Sequence, residues 1–308
     1  KMEEIMGYRI GFDIGSTTIK AVVLDGNNQI CYKSYERHKA QVRQKALDKL
    51  VELKKYTKEP FKFAISGSGA LGLCEQGELP FVQEVFASAT GVSKLYPETD
   101  CAIELGGEDA KILFFQGSVE QRMNSTCAGG TGAFIDQMAT LLNMSLEEMN
   151  EASLNYHRLY PIASRCGVFA KTDIQPLINQ GVDKCDLCAS IFQAVVDQTI
   201  TSLAQGRKIE GNILFLGGPL YFLSGLRKRF VETLKLSDAQ VNCPETAINF
   251  VALGTAICAD QEYTYDELYK ALEDLVHAPA KLTESKPLFE SEEDYQKFIE
   301  RHKSHDAK

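Results

Sequence analysis

Two stretches of this 308-residue chain follow one pattern at a separation of 91 residues. In each, an apolar segment reaches an acidic residue, the backbone tightens at a glycine, and a second apolar segment leaves through a lysine. Four positions of Ile10–Gly26 match Cys101–Gly117 without a gap: Asp13 with Glu104, Gly15 with Gly106, Lys20 with Lys111, and Gly26 with Gly117. The matches fall on the turns, the acid and the base, so we predict an internal duplication with a β-hairpin opening each half. Two unrelated hairpins are the alternative.

The first hairpin has the residue types that bind phosphate and a divalent metal. The turn at Gly15, followed by Ser16 and Thr17, can present backbone N–H groups and small hydroxyls to phosphate oxygens. Asp13 is suited to hold a divalent cation or its water, and Lys20 would supply a point positive charge. The sequence contains no GxxxxGK[ST] run, so the arrangement is not a P-loop.

The composition restricts the class of partner. A formal net charge of −9 argues against nucleic acid or an anionic membrane. A mean hydropathy of −0.18 and a hydrophobic content of 44% fit a chain with a packed core. No apolar run of transmembrane length and no signal-peptide core are expected, which places the protein in a cytoplasm. The nine cysteines are then expected to be reduced thiols, of which some are available for metal or cluster ligation.

Hydrophobic periodicity predicts a mixed α/β chain. The predicted strands are 8–14, 18–25, 29–37, 61–66, 211–218 and 241–243, with a second meander over 101–117. The predicted helices are 41–56, 82–95, 146–155, 184–205, 220–234, 246–260 and 264–276. Further helices are expected after the runs Met123–Phe134 and Ile162–Asp173, and a short terminal helix is expected to be capped near Ser291.

Three stretches then carry a resemblance to a known superfamily. Asp13–Lys20, Glu104–Lys111 and the turn Gly217-Gly218-Pro219 resemble, in order and spacing, the actin/Hsp70/hexokinase superfamily. That likeness implies an actin-like ATPase fold, in which two RNase H-like α/β halves with mixed five-stranded sheets close over ATP. The implied limits are 7–97 plus about 245–262 for the first half and 98–244 for the second. Residues 263–308 are expected to form a linker or tail, possibly helical.

Two cysteine motifs sharpen the resemblance. The runs Asn124–Phe134 around Cys127 and Ala163–Ala170 around Cys166 are similar to motifs of the activator ATPases of 2-hydroxyacyl-CoA dehydratases and benzoyl-CoA reductases. The family resemblance implies a homodimer holding one [4Fe-4S] cluster, with Cys127 and Cys166 contributed by each subunit. Four thiolates on a two-fold axis agree with that ligand set. Ordinary buried thiols are the alternative, and Cys185-x-x-Cys188 is expected to pack in the core of a long helix.

The resemblance also implies roles and partners. ATP binding and hydrolysis would shift the two halves, and the cluster would pass a low-potential electron from reduced ferredoxin or flavodoxin to a partner iron–sulfur enzyme such as a 2-hydroxyacyl-CoA dehydratase. The implied catalytic residues are Asp13, which also binds Mg²⁺, Glu104 and Asp109. The implied ATP-binding residues are Gly15, Ser16, Thr17, Thr18, Lys20, Gly106, Gly107, Gly129, Gly130, Gly217 and Gly218.

The chain departs from the family pattern at several points. Glu104 stands where the family usually has Asp, and Gly217-Gly218-Pro219-Leu220 replaces a more usual Gly-Gly-Val-Ala. The segment after 262 resembles the connector of large activase-like proteins with two ATPase modules, so pairing with a second like module is an alternative to the homodimer. Two other functions stay open: a sugar kinase of the N-acetylglucosamine-kinase type and a non-catalytic ATP-sensing module. None of the five histidines falls in a metal-ligand or acid–base arrangement.

Overall fold

The structure is a computed structural model, and it describes residues 7–124, 129–163, 167–279, 288–289 and 291–303. The chain divides into a large unit, 1–276, and a short C-terminal unit, 277–308. The large unit contains two five-stranded sheets, each with parallel and antiparallel pairs. The predicted α/β class with two mixed five-stranded sheets is therefore confirmed.

The two sheets repeat one strand order. In chain order the strands are β1 (Arg9–Ile14), β2 (Thr18–Leu24), β3 (Ile30–Arg37), β4 (Phe61–Ser66), β5 (Cys101–Leu105), β6 (Ala110–Phe114), β7 (Glu120–Met123), β8 (Ile213–Leu216), β9 (Val241–Asn242) and β10 (Glu262–Tyr263). The sheet orders are β10-β4-β1-β2-β3 and β7-β6-β5-β8-β9. In both, a three-stranded antiparallel meander is followed by a strand parallel to its first member. The sheets differ at the last strand, which is antiparallel in the first and parallel in the second.

Helices of the large unit cover the faces of both sheets, and one further helix belongs to the C-terminal unit. They are α1 (Val42–Glu52), α2 (Leu71–Gly77), α3 (Glu84–Leu95), α4 (Gly132–Leu142), α5 (Leu146–Leu154), α6 (Gly167–Asn179), α7 (Lys184–Thr199), α8 (Gly218–Phe222), α9 (Ser224–Leu234), α10 (Phe250–Cys258), α11 (Tyr265–His277) and α12 (Glu292–Lys303). Because helices lie on both faces, the central strands are buried along nearly their whole length. Of these helices, α2 was not predicted, and the helix expected over 220–234 is divided into α8 and α9.

A shared core between the two sheets is built on α3 and α10. Apolar side chains of both sheets meet there, including Val22 of β2 and Leu214 of β8. Gly254 of α10 lies so close to α3 that a Cβ atom added to it would be 2.0 Å from the carbonyl oxygen of Ala87. The small-residue helix predicted over 246–260 therefore packs tightly, and it joins the halves.

The segment 184–204 is long and apolar enough to cross a membrane by length and composition, which corrects the expectation that no run reaches that length. It consists of α7 and a π-helical continuation, Ile200–Ala204. Its most apolar window is 72% buried inside the protein. Burial on all sides is the pattern of a helix at the centre of a large core.

The segment predicted as a tail after residue 262 begins inside the folded unit. β10 pairs with β4, and α11 buries Leu268, Leu272 and Leu275 in the core of the first sheet. These leucines recur every three or four residues, so one face of α11 is apolar. In the C-terminal unit, Ser291 caps α12 by accepting the Asp294 N–H at 3.2 Å. The limits of the two halves stay predictions.

Candidate functional site

The first hairpin places an acid and a base opposite each other. Asp13 and Lys20 are cross-strand partners in β1 and β2, and Lys20 Nζ lies 2.6 Å from Asp13 Oδ2. The turn is closed by the Gly15 N–H, which donates to the Thr18 carbonyl at 2.9 Å. Burial would lower the pKa of Lys20, but the ion pair with Asp13 and the nearby charge of Glu104 outweigh it, so the pKa is raised. Lys20 is therefore a permanent cation at this turn.

The second hairpin repeats this arrangement 91 residues later. Glu104 and Lys111 are cross-strand partners in β5 and β6, with Lys111 Nζ 3.6 Å from Glu104 Oε1 and 2.6 Å from Asp109 Oδ2. The Gly106 N–H donates to the Asp109 carbonyl at 2.8 Å, as Gly15 does to Thr18 in the first hairpin. Lys111 is buried, which lowers its pKa, but attraction to Glu104, Glu84 and Asp109 is stronger and raises it. The equivalent contacts confirm that the two hairpins are one motif used twice.

Helix α3 adds two side chains to the second hairpin that the sequence did not predict. Glu84, the first residue of α3, forms an ion pair with Lys111, and Ser88 Oγ donates to Glu104 Oε2 at 3.3 Å. Burial raises the pKa of Glu84 to about 7, against the lowering effect of Lys111, with the Glu104, Asp13 and Asp109 carboxylates adding to the rise. Their spacing of four residues puts Glu84 and Ser88 on one helix face, which is the only sequence signal that could have found them.

The tips of the two turns lie next to each other. A Cβ atom added to Gly107 would lie 3.5 Å from Thr17 Oγ1, so the tips of the two hairpins approach closely. Ser16, Thr17 and Gly107 are exposed at these tips, while the Thr18 side chain is buried at the start of β2. The adjoining turns therefore combine exposed backbone and hydroxyl groups with two lysines, which suits a polyanion.

Glycines at the ends of the parallel strands form a second repeated feature. Gly217 after β8 has φ +87°, and a Cβ there would lie 2.0 Å from the Leu105 carbonyl oxygen. Gly67 after β4 has φ +99°, and a Cβ there would lie 2.3 Å from the carbonyl oxygen of Ile14. Ile14 and Leu105 are equivalent in the 91-residue repeat, so Gly67 is the counterpart of Gly217. The sequence predicts Gly217 as a site residue but not Gly67.

The predicted adenosine end lies beside α8. Gly218 begins that helix, and a Cβ added to it would lie 3.7 Å from the Tyr35 hydroxyl of β3. The rings of Tyr35 and Phe222 meet edge to face at 6.3 Å, and both are exposed. An exposed aromatic ring face beside a glycine pair can stack on a planar base.

The start of α4 contacts the second turn through Gly132, which was not among the predicted glycines. Gly130 lies against α7, where a Cβ would be 3.0 Å from Gln198 Cγ, and Gly129 is also buried. Gly132, at the start of α4, donates its N–H to the Gly106 carbonyl at 3.0 Å. The Ala133 N–H donates to the Gly107 carbonyl at 2.7 Å. The N-terminus of α4 is therefore bonded directly to the turn.

The donor set at the first hairpin fits Mg²⁺. Lys20 occupies Asp13 Oδ2, and Ser66 lies opposite Asp13 in the β1–β4 register. Ser66 Oγ is fully buried and has no hydrogen-bond partner among the described residues. Mg²⁺ takes oxygen ligands and keeps several waters, so one carboxylate with a nearby hydroxyl suffices. In the part of the chain that the structure describes, no group of three or more His, Cys, Asp or Glu side chains is arranged for a metal.

The cysteines predicted as cluster ligands, Cys127 and Cys166, lie outside the described residues. The seven described cysteines are unpaired thiols. Burial raises the pKa of Cys74, Cys101 and Cys188 to about 12, which disfavours the thiolate that a cluster needs. Cys188 is buried in the core on α7, as predicted, whereas Cys185, expected there too, lies one turn nearer the start of α7 and is only partly buried.

Comparisons with known proteins agree with this geometry. The profile of the BadF/BadG/BcrA/BcrD ATPase family matches residues 10–259. The activator of lactoyl-CoA dehydratase from Anaerotignum propionicum is 30% identical over 258 residues, 82% of this chain and 97% of the relative. The (R)-2-hydroxyglutaryl-CoA dehydratase activating ATPase from Acidaminococcus fermentans is 27% identical over 68% of this chain and 82% of its own. The solved activator of 2-hydroxyisocaproyl-CoA dehydratase from Clostridium difficile, with bound ADPNP, superposes with a TM-score of 0.72 at 25% identity, covering 90% of this chain and 100% of that one.

Proposed function

This chain belongs to the BadF/BadG/BcrA/BcrD ATPase family, and from that premise we propose that it is an ATP-dependent activator of an iron–sulfur enzyme. In this proposal ATP binds and is hydrolysed between the two hairpins, and a [4Fe-4S] cluster, when bound, would supply the low-potential one-electron chemistry of the activator. Relatives named as activators of 2-hydroxyacyl-CoA dehydratases support the activator role. A partner of that dehydratase class is the proposed acceptor, and reduced ferredoxin or flavodoxin is the proposed donor.

The observation that carries the ATPase half of the proposal is the pair of adjoining acid–lysine turns. Four carboxylates, Asp13, Glu84, Glu104 and Asp109, surround Lys20 and Lys111 at these turns. An excess of carboxylates over ammonium groups suits a polyphosphate that arrives with a divalent cation, because the cation offsets both sets of negative charge.

The residues of the two hairpins and of the glycine turn have separate roles in this proposal. Ser16, Thr17, Gly106 and Gly107 present polar groups to the phosphates, while Gly217 and Gly218 lie beside the base. Asp13 and Ser66 would hold Mg²⁺, which supplies charge neutralisation at the β- and γ-phosphates when bound. Glu104 and Asp109 orient the attacking water, and one of the two carboxylates accepts its proton. The γ-phosphoryl group passes from ADP to the water oxygen. Glu84 and Lys111 fix the position of these two acids.

Cys127 and Cys166 are the proposed cluster ligands. Helix α4 begins at Gly132, five residues after Cys127, and α6 begins at Gly167, directly after Cys166. Helix N-termini favour a thiolate and an anionic group in their vicinity. A [4Fe-4S] cluster supplies one-electron chemistry when bound. Two such ligands per chain require a second copy, or a second like module, to complete the set of four.

The test is anaerobic reconstitution with iron and sulfide, followed by cluster absorbance and ATP turnover for the parent, Cys127→Ser and Cys166→Ser. Cys31→Ser is the matched control, because Cys31 is an exposed thiol. We expect one cluster per two chains in the parent and in the control, and loss of the cluster in both other variants. Equal cluster content in all four proteins would refute the ligand assignment. Turnover only with added sugar would indicate a sugar kinase, and binding without turnover would indicate an ATP sensor.

A further inference from the structure

Equivalent carbonyl groups in the two turns are held by different donors. The Gly106 carbonyl accepts the Gly132 N–H of α4 at 3.0 Å. Its counterpart in the first turn, the Gly15 carbonyl, lies 3.0 Å from Nε2 of His38. One half therefore uses a helix N-terminus, and the other uses a histidine side chain, for the same position of the repeat.

The ring and the backbone of His38 both contact the first turn. It follows β3 directly and is 4% exposed. The Ala40 N–H donates to His38 Nδ1 at 3.2 Å, so Nδ1 is the acceptor, and Nε2 carries the proton that it donates to Gly15. The backbone N–H of His38 donates to the Thr17 carbonyl at 3.2 Å. Ring and backbone together hold the turn at two carbonyls.

The backbone after His38 adopts an uncommon conformation that makes the ring contact possible. Lys39 and Ala40 have φ +50° and +61°, two consecutive non-glycine residues in the left-handed region. That conformation is unfavourable for L-residues with side chains, and it persists only where the surroundings impose it. Here it brings the Ala40 N–H onto Nδ1 and thereby fixes the tautomer of the ring.

We propose that His38 is a positioning residue for the nucleotide phosphates, an inference that rests on the proposed function. In a trans peptide unit the carbonyl and the following N–H point in opposite directions. Because His38 holds the Gly15 carbonyl on one side of the turn, the Ser16 N–H points to the other side. Ser16 is exposed at the tip of the turn, as is Gly107, whose N–H is set in the same way by Gly132. His38 thus fixes a phosphate donor without touching the nucleotide.

The experiment compares His38→Asn, His38→Gln and the parent for binding of Mg·ADP by calorimetry and of adenosine by ligand-observed NMR. Glutamine can place an N–H donor near the position of Nε2, whereas asparagine is too short and only replaces the Nδ1 acceptor. His157→Asn is the matched control, because the His157 side chain is exposed. We expect His38→Asn to weaken Mg·ADP binding about tenfold, because the hydrogen bond from the Ser16 N–H to a charged phosphate is lost. Adenosine binding should be unchanged. His38→Gln and His157→Asn should stay within about threefold of the parent.

Four results would overturn the proposal. Unchanged Mg·ADP binding in His38→Asn would show that the ring does not set the donor. Equal losses for Mg·ADP and adenosine would indicate a merely structural residue. If His38→Asn does not fold, a tenfold loss in a folded His38→Gln would contradict the donor role, and parental binding would support it. A parent that does not bind Mg·ADP would refute the proposed function itself, and this inference with it.

Discussion

Lys111 and Glu84 form an ion pair that joins the two halves of the protein. Lys111 lies on β6 of the second sheet, and Glu84 begins α3, which packs in the core between the sheets. The same lysine contacts Glu104 and Asp109 at the second turn. The Lys111 ammonium group therefore forms ion pairs with three carboxylates, two at the second turn and one on α3.

Glu84 makes the stability of the protein depend on pH. Burial raises its pKa to about 7, so the folded state binds a proton that the unfolded state releases at lower pH. The stabilisation from that proton is fully present below the ordinary carboxyl pKa and is lost as pH rises through about 7. We expect the stability of the parent relative to Glu84→Gln to fall between pH 5 and pH 8, as measured by thermal unfolding. A difference that does not change with pH would contradict the raised pKa.

Removing Lys111 should cost more stability than removing Lys20. Lys111→Met leaves three carboxylates without their shared cation, and loss of one partner from a buried charge group costs about 3 to 5 kcal/mol. Lys20 is 19% exposed and has one close acidic partner, Asp13, so Lys20→Met should cost less. Lys33→Met is the control, because Lys33 forms an exposed pair of little energetic value with Glu245. Urea unfolding measures all three, and a larger loss in Lys20→Met would contradict this ranking.

The glycines at the strand ends can be tested against a glycine in open space. Gly217→Ala and Gly67→Ala each combine a positive φ with a clash against a backbone carbonyl. Gly181 also has a positive φ, +74°, but a Cβ there meets nothing within 4 Å. Gly181→Ala should therefore cost about 1 to 2 kcal/mol, from the left-handed conformation alone. The other two should cost at least about 1 kcal/mol more, because a packed backbone must move. Equal losses in urea unfolding would show that the close approach is not needed.

Much of the fold could be predicted because its signals are local. The acid, glycine and lysine at Asp13, Gly15 and Lys20 have counterparts 91 residues later in Glu104, Gly106 and Lys111, and that offset holds in the strand pairs and turn hydrogen bonds. Apolar runs predicted the strands, since central strands buried on both faces carry few polar residues. The main error was to assign residues after 262 to a tail: the helix over 264–276 was predicted correctly, but its three buried leucines resemble the apolar face of any amphipathic surface helix until the first sheet supplies their partner.

The parts of the site that were missed depend on contacts between distant segments. Glu84 looks like an ordinary acid in the first turn of a helix, where the helix dipole favours it. Only the fold brings it to Lys111, 27 positions along the chain. His38 is also isolated in sequence, and its contact with the Gly15 carbonyl follows from the register of β2 and β3. Pattern and spacing do not encode such pairings.

Ser66 gives a test of the metal site that does not depend on catalysis. Its hydroxyl is fully buried opposite Asp13 and has no hydrogen-bond partner in the described part of the chain. A buried hydroxyl without a partner costs about 1 to 3 kcal/mol, so Ser66→Ala should stabilise the protein without ligand. If that hydroxyl helps to hold Mg²⁺ or its water, the same variant should lose part of the rise in melting temperature that Mg·ADP causes, while the rise with ADP in EDTA stays as in the parent.

Ser88→Ala is the matched control, because Ser88 is equally buried but donates to Glu104, and its removal should destabilise. Ser66→Ala would contradict the assignment if it destabilised the ligand-free protein as Ser88→Ala does, or if its response to Mg·ADP equalled that of the parent.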